Sequence, residues 1–219
     1  VTEDSPLDPK TEYARSKVKA EMDIRELATD DFSPTYLRNG TVYGYSPNMR
    51  FDTVLNNLVG AALTTGKIIL FSDGQPWRPV VNIQDLARSF ETVLTAPLWS
   101  VHNEAFNNGA NHLNKRIIEL AEFVEEVIPG SKLEIRAEAG ADQRTYRADF
   151  TKFKDTFPDF EFKWHAKEGA KSLADQLTEF GLTYEQFSGP SYTRLPWLNS
   201  LIDSGRLDSD LRWTEAGVN

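Results

Sequence analysis

Ser5-Pro6-Leu7-Asp8-Pro9-Lys10-Thr11-Glu12-Tyr13-Ala14-Arg15-Ser16-Lys17 carries the chain from a proline-bounded start into a helix whose reading decides the rest. At about 100° per residue, the span 11–28 separates into faces. Glu12, Arg15, Lys19, Asp23 and Glu26 form one polar stripe, while Tyr13, Ala14, Val18, Ala20, Met22, Ile24, Leu27 and Ala28 fill the remaining arc. An apolar arc that wide exceeds what one sheet covers, so the helix is expected either inside the domain or against another subunit. Tyr13 and Lys17 are four apart and project from one face. An ammonium fixed beside a phenol favours the phenolate, which makes such a pair a candidate general acid/base for a substrate hydroxyl. The plain alternative is a tyrosine packed over a lysine stem.

Working outward, Pro34-Thr35-Tyr36-Leu37-Arg38-Asn39 reads as a buried strand followed by a loop rich in Gly, Pro and Asn to Met49. The pattern predicts a helix over 51–65 stopped by Gly66, a strand over 67–71, a turn at Asp73-Gly74, a helix over 83–95 ending at Pro97, and a strand over 101–106. Asn114 is a candidate cap for the helix whose apolar stripe is Ile117, Leu120, Ala121, Val124 and Val127. A strand is expected over 131–137 and helices over 167–180 and 194–203. Strands and helices alternate throughout, so the class is α/β.

Composition narrows the functions. The 219 residues include 24 Lys plus Arg against 33 Asp plus Glu, and no cysteine. A net charge of −9 offers no general attraction to phosphate backbones or anionic lipid, so neither a nucleic acid nor a membrane is an expected partner. The longest clean apolar runs, such as Ile68-Ile69-Leu70-Phe71, are strand-length against the ~20 residues of a membrane helix. With no signal peptide in these residues, a cytoplasmic protein is expected. The start at Val1-Thr2-Glu3-Asp4-Ser5-Pro6 reads like the middle of a loop, and a fragment is the expectation.

Several patterns lead nowhere. Gly60 to Lys67 imitates a phosphate loop, but Ile68 stands where Ser or Thr is required, and the segment lies at a helix end. Asn39-Gly40-Thr41 matches a glycosylation pattern after a buried strand, a chance match. His102, His112 and His165 lack metal-ligand spacing, and no metal is expected. There is no serine-hydrolase elbow.

The stretch from Ser5 to Lys17 resembles the catalytic helix of the extended short-chain dehydrogenase/reductases, the NAD-dependent nucleotide-sugar epimerases and dehydratases. Leu37-Arg38-Asn39-Gly40-Thr41-Val42-Tyr43-Gly44 is similar to the L-R-x-x-x-x-Y-G strand and loop that follows it in that family. Trp77-Arg78-Pro79-Val80-Val81-Asn82-Ile83-Gln84-Asp85 resembles its R-x-x-x-H-V-x-D segment, with Asn82 in place of His, and Asp142-Gln143-Arg144-Thr145-Tyr146 its late arginine motif. The motifs keep the family's order over residues 1 to about 150.

The resemblance implies the end of a Rossmann-like doubly wound parallel sheet plus a smaller α/β substrate-binding region. Residues 1–45 would belong to the NAD-binding domain and 46–219 mainly to the nucleotide-sugar region, with about 83–106 packing back on the sheet. Tyr13 would be the acid/base; Lys17 would hold the nicotinamide ribose and favour the phenolate. Thr41 and Val42 would line the place where nicotinamide meets sugar, and Asn57, Arg78 and Arg144 would bind the substrate diphosphate. Guanidinium groups suit that task by bidentate pairing. Other readings stay open: Arg78 as an ion pair with Asp85, Arg144 as a solvated charge, Asn57 as a polar position on an amphipathic helix. The Gly-rich dinucleotide fingerprint and the catalytic Ser/Thr of the family would belong upstream of Val1. The implied reaction is an NAD-dependent epimerisation through a keto-sugar, with a dehydratase, a reductase or a non-catalytic sugar-nucleotide-binding module as alternatives. The expected assembly is a homodimer through the face carrying Ala14, Val18 and Met22.

Overall fold

A computed structural model describes residues 1–136 and 145–214. Thr11 caps the first helix, α1 (Glu12–Arg25), by accepting from the Ala14 amide at 3.1 Å. The chain then runs extended from 36 to 43, as β1 (Tyr36–Asn39) and β2 (Thr41–Tyr43), with Gly40 between them. β1 pairs in parallel with β5 (Ala105–Asn108), whereas β2 pairs in parallel with β4 (Trp77–Asn82). Gly40 is where one extended segment changes partner. Its amide donates to the Asn108 carbonyl at 3.1 Å, and a Cβ there would lie 3.3 Å from the Pro79 carbonyl oxygen. The absence of a side chain is what lets the two strands come that close.

β4 also pairs antiparallel with β6 (Asn114–Arg116), and β3 (Lys67–Leu70) pairs in parallel with β7 (Lys132–Ile135). Between the strands lie α2 (Val54–Thr65), α3 (Ile83–Leu94), the short α4 (Leu98–Val101) and α5 (Ile117–Val127). α6 (Thr151–Thr156), α7 (Ala166–Phe180), α8 (Tyr184–Ser188) and α9 (Arg194–Asp203) complete the described chain. The larger core joins α2, α5 and α7 through Leu55, Val59, Leu120, Val124, Leu173 and Leu177. A second core gathers Val81, Phe106, Phe153, Phe157 and Phe162. Tyr43 connects strand to helix: it is buried against Gly169 of α7, where any Cβ would overlap its ring.

Some elements differ from expectation for local reasons. The helix expected from Phe51 begins at Val54, because Thr53 is extended (φ −104°, ψ 143°) and the Phe51 amide is taken by the Tyr192 carbonyl at 2.9 Å. The strand expected over 101–106 is a helical turn up to Val101, then a left-handed Asn103 (φ 55°), then β5. Asn114 caps nothing; it lies in β6 and its amide exchanges two hydrogen bonds with the backbone of Ala148, at 2.9 and 3.0 Å. Arg116 is the residue before α5, and Glu119 reaches back to its amide at 2.9 Å. Gly66 and Gly181 end α2 and α7 in the left-handed region, at φ 68° and 74°.

One buried charge fixes the segment leading into α7. Asp85, fully buried on α3, accepts from Arg88 at 2.7 Å and from the Trp164 amide at 2.9 Å. Arg88 in turn donates to the Glu161 carbonyl and lies 4.8 Å from the Phe160 ring centroid. Removing the carboxylate leaves two donors without their acceptor. Asp85→Ala is expected to lower unfolding stability by about 3 kcal/mol, read by denaturant titration, whereas a change within ~0.5 kcal/mol would mean that the staple is dispensable.

Candidate functional site

Tyr13 and Lys17 lie on α1 as their spacing demands, with the Lys17 Nζ 5.7 Å from the Tyr13 ring centroid. Tyr13 is 72% exposed and no residue of α1 is fully buried, so the helix is not sandwiched within this chain. What ties it down is charge. Glu21 meets Arg38 of β1 through two contacts, 2.6 and 3.0 Å, and Arg38 also donates to the Glu3 carbonyl at 2.8 Å. Burial alone would raise the Glu21 carboxyl, but the Arg38 hydrogen bonds and charge, with help from Arg25, outweigh it and hold the group below its ordinary value. The pair spans one side of a cavity of about 570 Å³ that Tyr13, Lys17, Asn39, Gly40, Pro79 and Tyr146 also line.

Thr41, Asn57 and Arg78 line a second cavity of about 520 Å³. Thr41 opens β2, Arg78 stands beside it on β4, and Asn57 sits in the first turns of α2. Asn57 donates to the Phe51 carbonyl at 3.0 Å, and Arg78 donates to its own neighbour's carbonyl at Trp77, 2.9 Å, with its guanidinium 6.0 Å from the Tyr146 ring. Asp85 is engaged by Arg88 and the Trp164 amide rather than by Arg78. Successive residues serve the two spaces: Gly40 and Pro79 line the Tyr13 cavity, Thr41 and Arg78 the other. The structure thus places Tyr13 and Lys17 on one side of the strand switch, and Thr41, Asn57 and Arg78 on the other. Val42 lines neither cavity and packs instead against the core around Val81. Arg144 lies outside the described residues.

Sequence reasoning missed the acidic and hydroxyl residues of the second cavity. Asp52 lines it while taking Arg50 in a bidentate pair, both contacts 2.8 Å, which holds its carboxyl below the ordinary range, with a lesser contribution from the Arg194 amide. The Thr53 hydroxyl is buried on the same wall and makes no hydrogen bond among the described residues. Nothing in an R-F-D-T string distinguishes these residues from a surface ion pair. No group of three or more potential metal ligands occurs among the described residues, and no described helix is long and apolar enough to cross a membrane.

Parallel strand pairs alternating with helices are the architecture of the Rossmann-like dinucleotide enzymes, and the known proteins agree. Residues 1–109 match the model of the NAD dependent epimerase/dehydratase family, and through them the chain belongs to that family. It is 25% identical over 178 residues to the low-salt glycan biosynthesis protein Agl12 of Haloferax volcanii, covering 80% of this chain and 54% of that protein. Among solved structures it is similar to a UDP-glucose 4-epimerase of Thermotoga maritima with UDP-glucose (23% identity, TM-score 0.71, 83% of this chain and 58% of the other). It is likewise similar to a dTDP-glucose 4,6-dehydratase of Bacillus anthracis in complex with NAD (25% identity, TM-score 0.69, 82% and 56%). The chain therefore spans little more than half the length of these relatives.

The tether of α1 gives a pH test. Because the folded Glu21 carboxyl is held low, its stabilisation is complete above about pH 4.5 and disappears as the pH falls through the lowered folded value. Glu21→Gln is expected to lower the unfolding midpoint at neutral pH and to flatten the acid limb of the stability profile. An acid limb identical to that of the parent protein would show that this pair contributes nothing.

Proposed function

We propose that the protein is an NAD-dependent nucleotide-sugar epimerase acting through a keto-sugar, and that this chain supplies its proton-transfer group and most of its diphosphate site. The observation that carries the reading is the meeting of two cavities at one strand switch, one holding a phenol and an ammonium, the other an arginine, an amide and a helix N-terminus. A sugar joined to a diphosphate needs that division of labour. Arg78 and Asn57 would grip the phosphates, helped by the α2 dipole and the unsatisfied Thr53 hydroxyl. The sugar would then extend past Thr41 towards Tyr13.

There Tyr13 Oη takes the proton from the sugar hydroxyl as the carbon is oxidised, and returns it after the sugar has presented its other face. The Lys17 ammonium stabilises negative charge at the phenol while it lasts. NAD, the cofactor of the family, accepts and returns the hydride when bound. Its ribose end fits Tyr13 and Lys17, whose cavity is open and edged with hydrogen-bonding groups; Val42 would contribute at most through packing. A dehydratase is the second reading, because the relatives include both reactions and the same residues serve each.

We assign residues 1–45 to the NAD-binding part and 46–219 mainly to the substrate region, an assignment supported by the return of β5 to pair with β1. We also propose a homodimer through α1. Met22 on that helix and Leu27 just beyond its end are 59% and 62% exposed, whereas Ala14 and Val18 are half-buried in their own chain, which moves the expected contact towards Met22. Met22→Glu is accordingly the cleaner probe: sedimentation should show monomers, and a dimer that survives places the contact elsewhere.

The functional test uses the intact enzyme with UDP-sugars and dTDP-sugars, products being identified by their stereochemistry. Tyr13→Phe keeps the ring but removes the proton carrier, so turnover should fall by roughly 10²–10⁴ with little change in substrate affinity. Arg78→Ala should weaken nucleoside diphosphate binding by about 1.5–3 kcal/mol and leave a bare sugar indifferent. Full turnover by Tyr13→Phe would remove Tyr13 from the chemistry, and loss of water from the product would select the dehydratase.

A further inference from the structure

The wall of the second cavity between Phe51 and Asn57 does not hold itself in place. Phe51, 2% exposed, stands edge-on to two rings from the far end of the chain: Phe187 at 5.1 Å and 69°, Tyr192 at 5.5 Å and 72°. Its amide hydrogen-bonds the Tyr192 carbonyl at 2.9 Å, and its own carbonyl receives the Asn57 side chain at 3.0 Å. Phe187 also sits against α2, where a Cβ on Gly60 would come within 2.7 Å of two of its ring atoms and 3.0 Å of Phe51. Contacts therefore run without a gap from Phe187 through Phe51 to Asn57. Neither Phe187 nor Tyr192 lines the cavity itself.

The geometry points to residues 183–193 as a brace for the ligand-binding wall, with Phe187 as a positioning residue that sets the first turns of α2, and with them Thr53 and Asn57, against a diphosphate. This rests on the diphosphate reading given above. α2 follows ten residues outside regular structure, 44–53, and has no side-chain cap, so its first turns depend on what packs behind them. Edge-to-face aromatic pairs supply a directional contact, and a glycine at the crossing lets the brace sit directly on the helix backbone. Arg78 belongs to β4 and does not depend on this brace. The two halves of the diphosphate grip are thereby separable by mutation.

Titration of the intact protein with uridine diphosphate, and in parallel thymidine diphosphate, tests this through a double-mutant cycle. Phe187→Ala should weaken binding by roughly tenfold. Its effect should be less than additive with Asn57→Ala, because both act through the same wall, and additive with Arg78→Ala. Phe187→Leu, which refills most of the volume, should recover most of the affinity. If Phe187→Ala does not fold, Gly60→Ala, which displaces the ring instead of deleting it, is read by the same criteria. Unchanged affinity in the folded variant, or full additivity with Asn57→Ala, overturns the brace while leaving the site. Unchanged affinity in both Asn57→Ala and Arg78→Ala overturns the site and the brace together.

Discussion

Everything in the candidate site depends on the close approach of backbones at Gly40. One extended segment, 36 to 43, pairs with β5 over Tyr36–Asn39 and with β4 over Thr41–Tyr43, and so divides its ladder between them. The change of partner opens space on either side, and the residues flanking the glycine face different cavities. A side chain at position 40 would put its Cβ 3.3 Å from the Pro79 carbonyl oxygen, so β4 would have to give by a few tenths of an ångström. Thr41 and Arg78 line one cavity beside that contact. The division into two cavities, and with it the proposed separation of proton chemistry from phosphate binding, is thus a by-product of strand pairing.

α1 is attached by other means. Packing contributes little, because its apolar residues are half-buried or exposed, and the Glu21–Arg38 pair joins it to β1. Below the strands, Asp85 draws the Arg88 guanidinium and the Trp164 amide onto α3 and so fixes the entry to α7, whose Gly169 receives Tyr43. Burial pushes the Tyr43 phenol well above its ordinary range, with an Asn82 hydrogen bond acting the other way, so it stays neutral and donates to the His165 carbonyl at 3.3 Å. Asn82 stands where the family has His, and it also caps α3 by accepting from the Gln84 amide. The departure from the motif is absorbed by two local hydrogen bonds.

Helices with clear periods and glycine stops were legible from the sequence: α1, α3, α7 and α9 lie within a few residues of expectation. The short strands β1, β3 and β7 were legible too, but three others were not. β2 has three residues inside a Gly- and Pro-rich stretch, β4 contains Pro79, and β6 has three polar residues, so none shows the alternation that marks a half-buried strand. Their positions follow from tertiary pairing. The same holds for the site. Tyr13 and Lys17 were visible as a spacing on one helix, and Thr41, Asn57 and Arg78 through resemblance. Phe187 and Tyr192, which pack on Phe51 behind the wall of the second cavity, do so through contacts more than a hundred residues apart, which no local pattern encodes.

The attachment of α1 has a consequence for ionic strength. Its internal pairs, Lys19–Asp23 and Arg15–Glu12, are well exposed, and mobile ions screen such charges over about 8 Å at 0.15 M salt. Glu21 and Arg38 are shielded by protein, with 15% and 23% of their side chains accessible. Added salt therefore weakens the bonds that keep the helix wound before it weakens the bond that keeps it in place, and the phenol of Tyr13 is held to the strand switch by the contact that the medium reaches least.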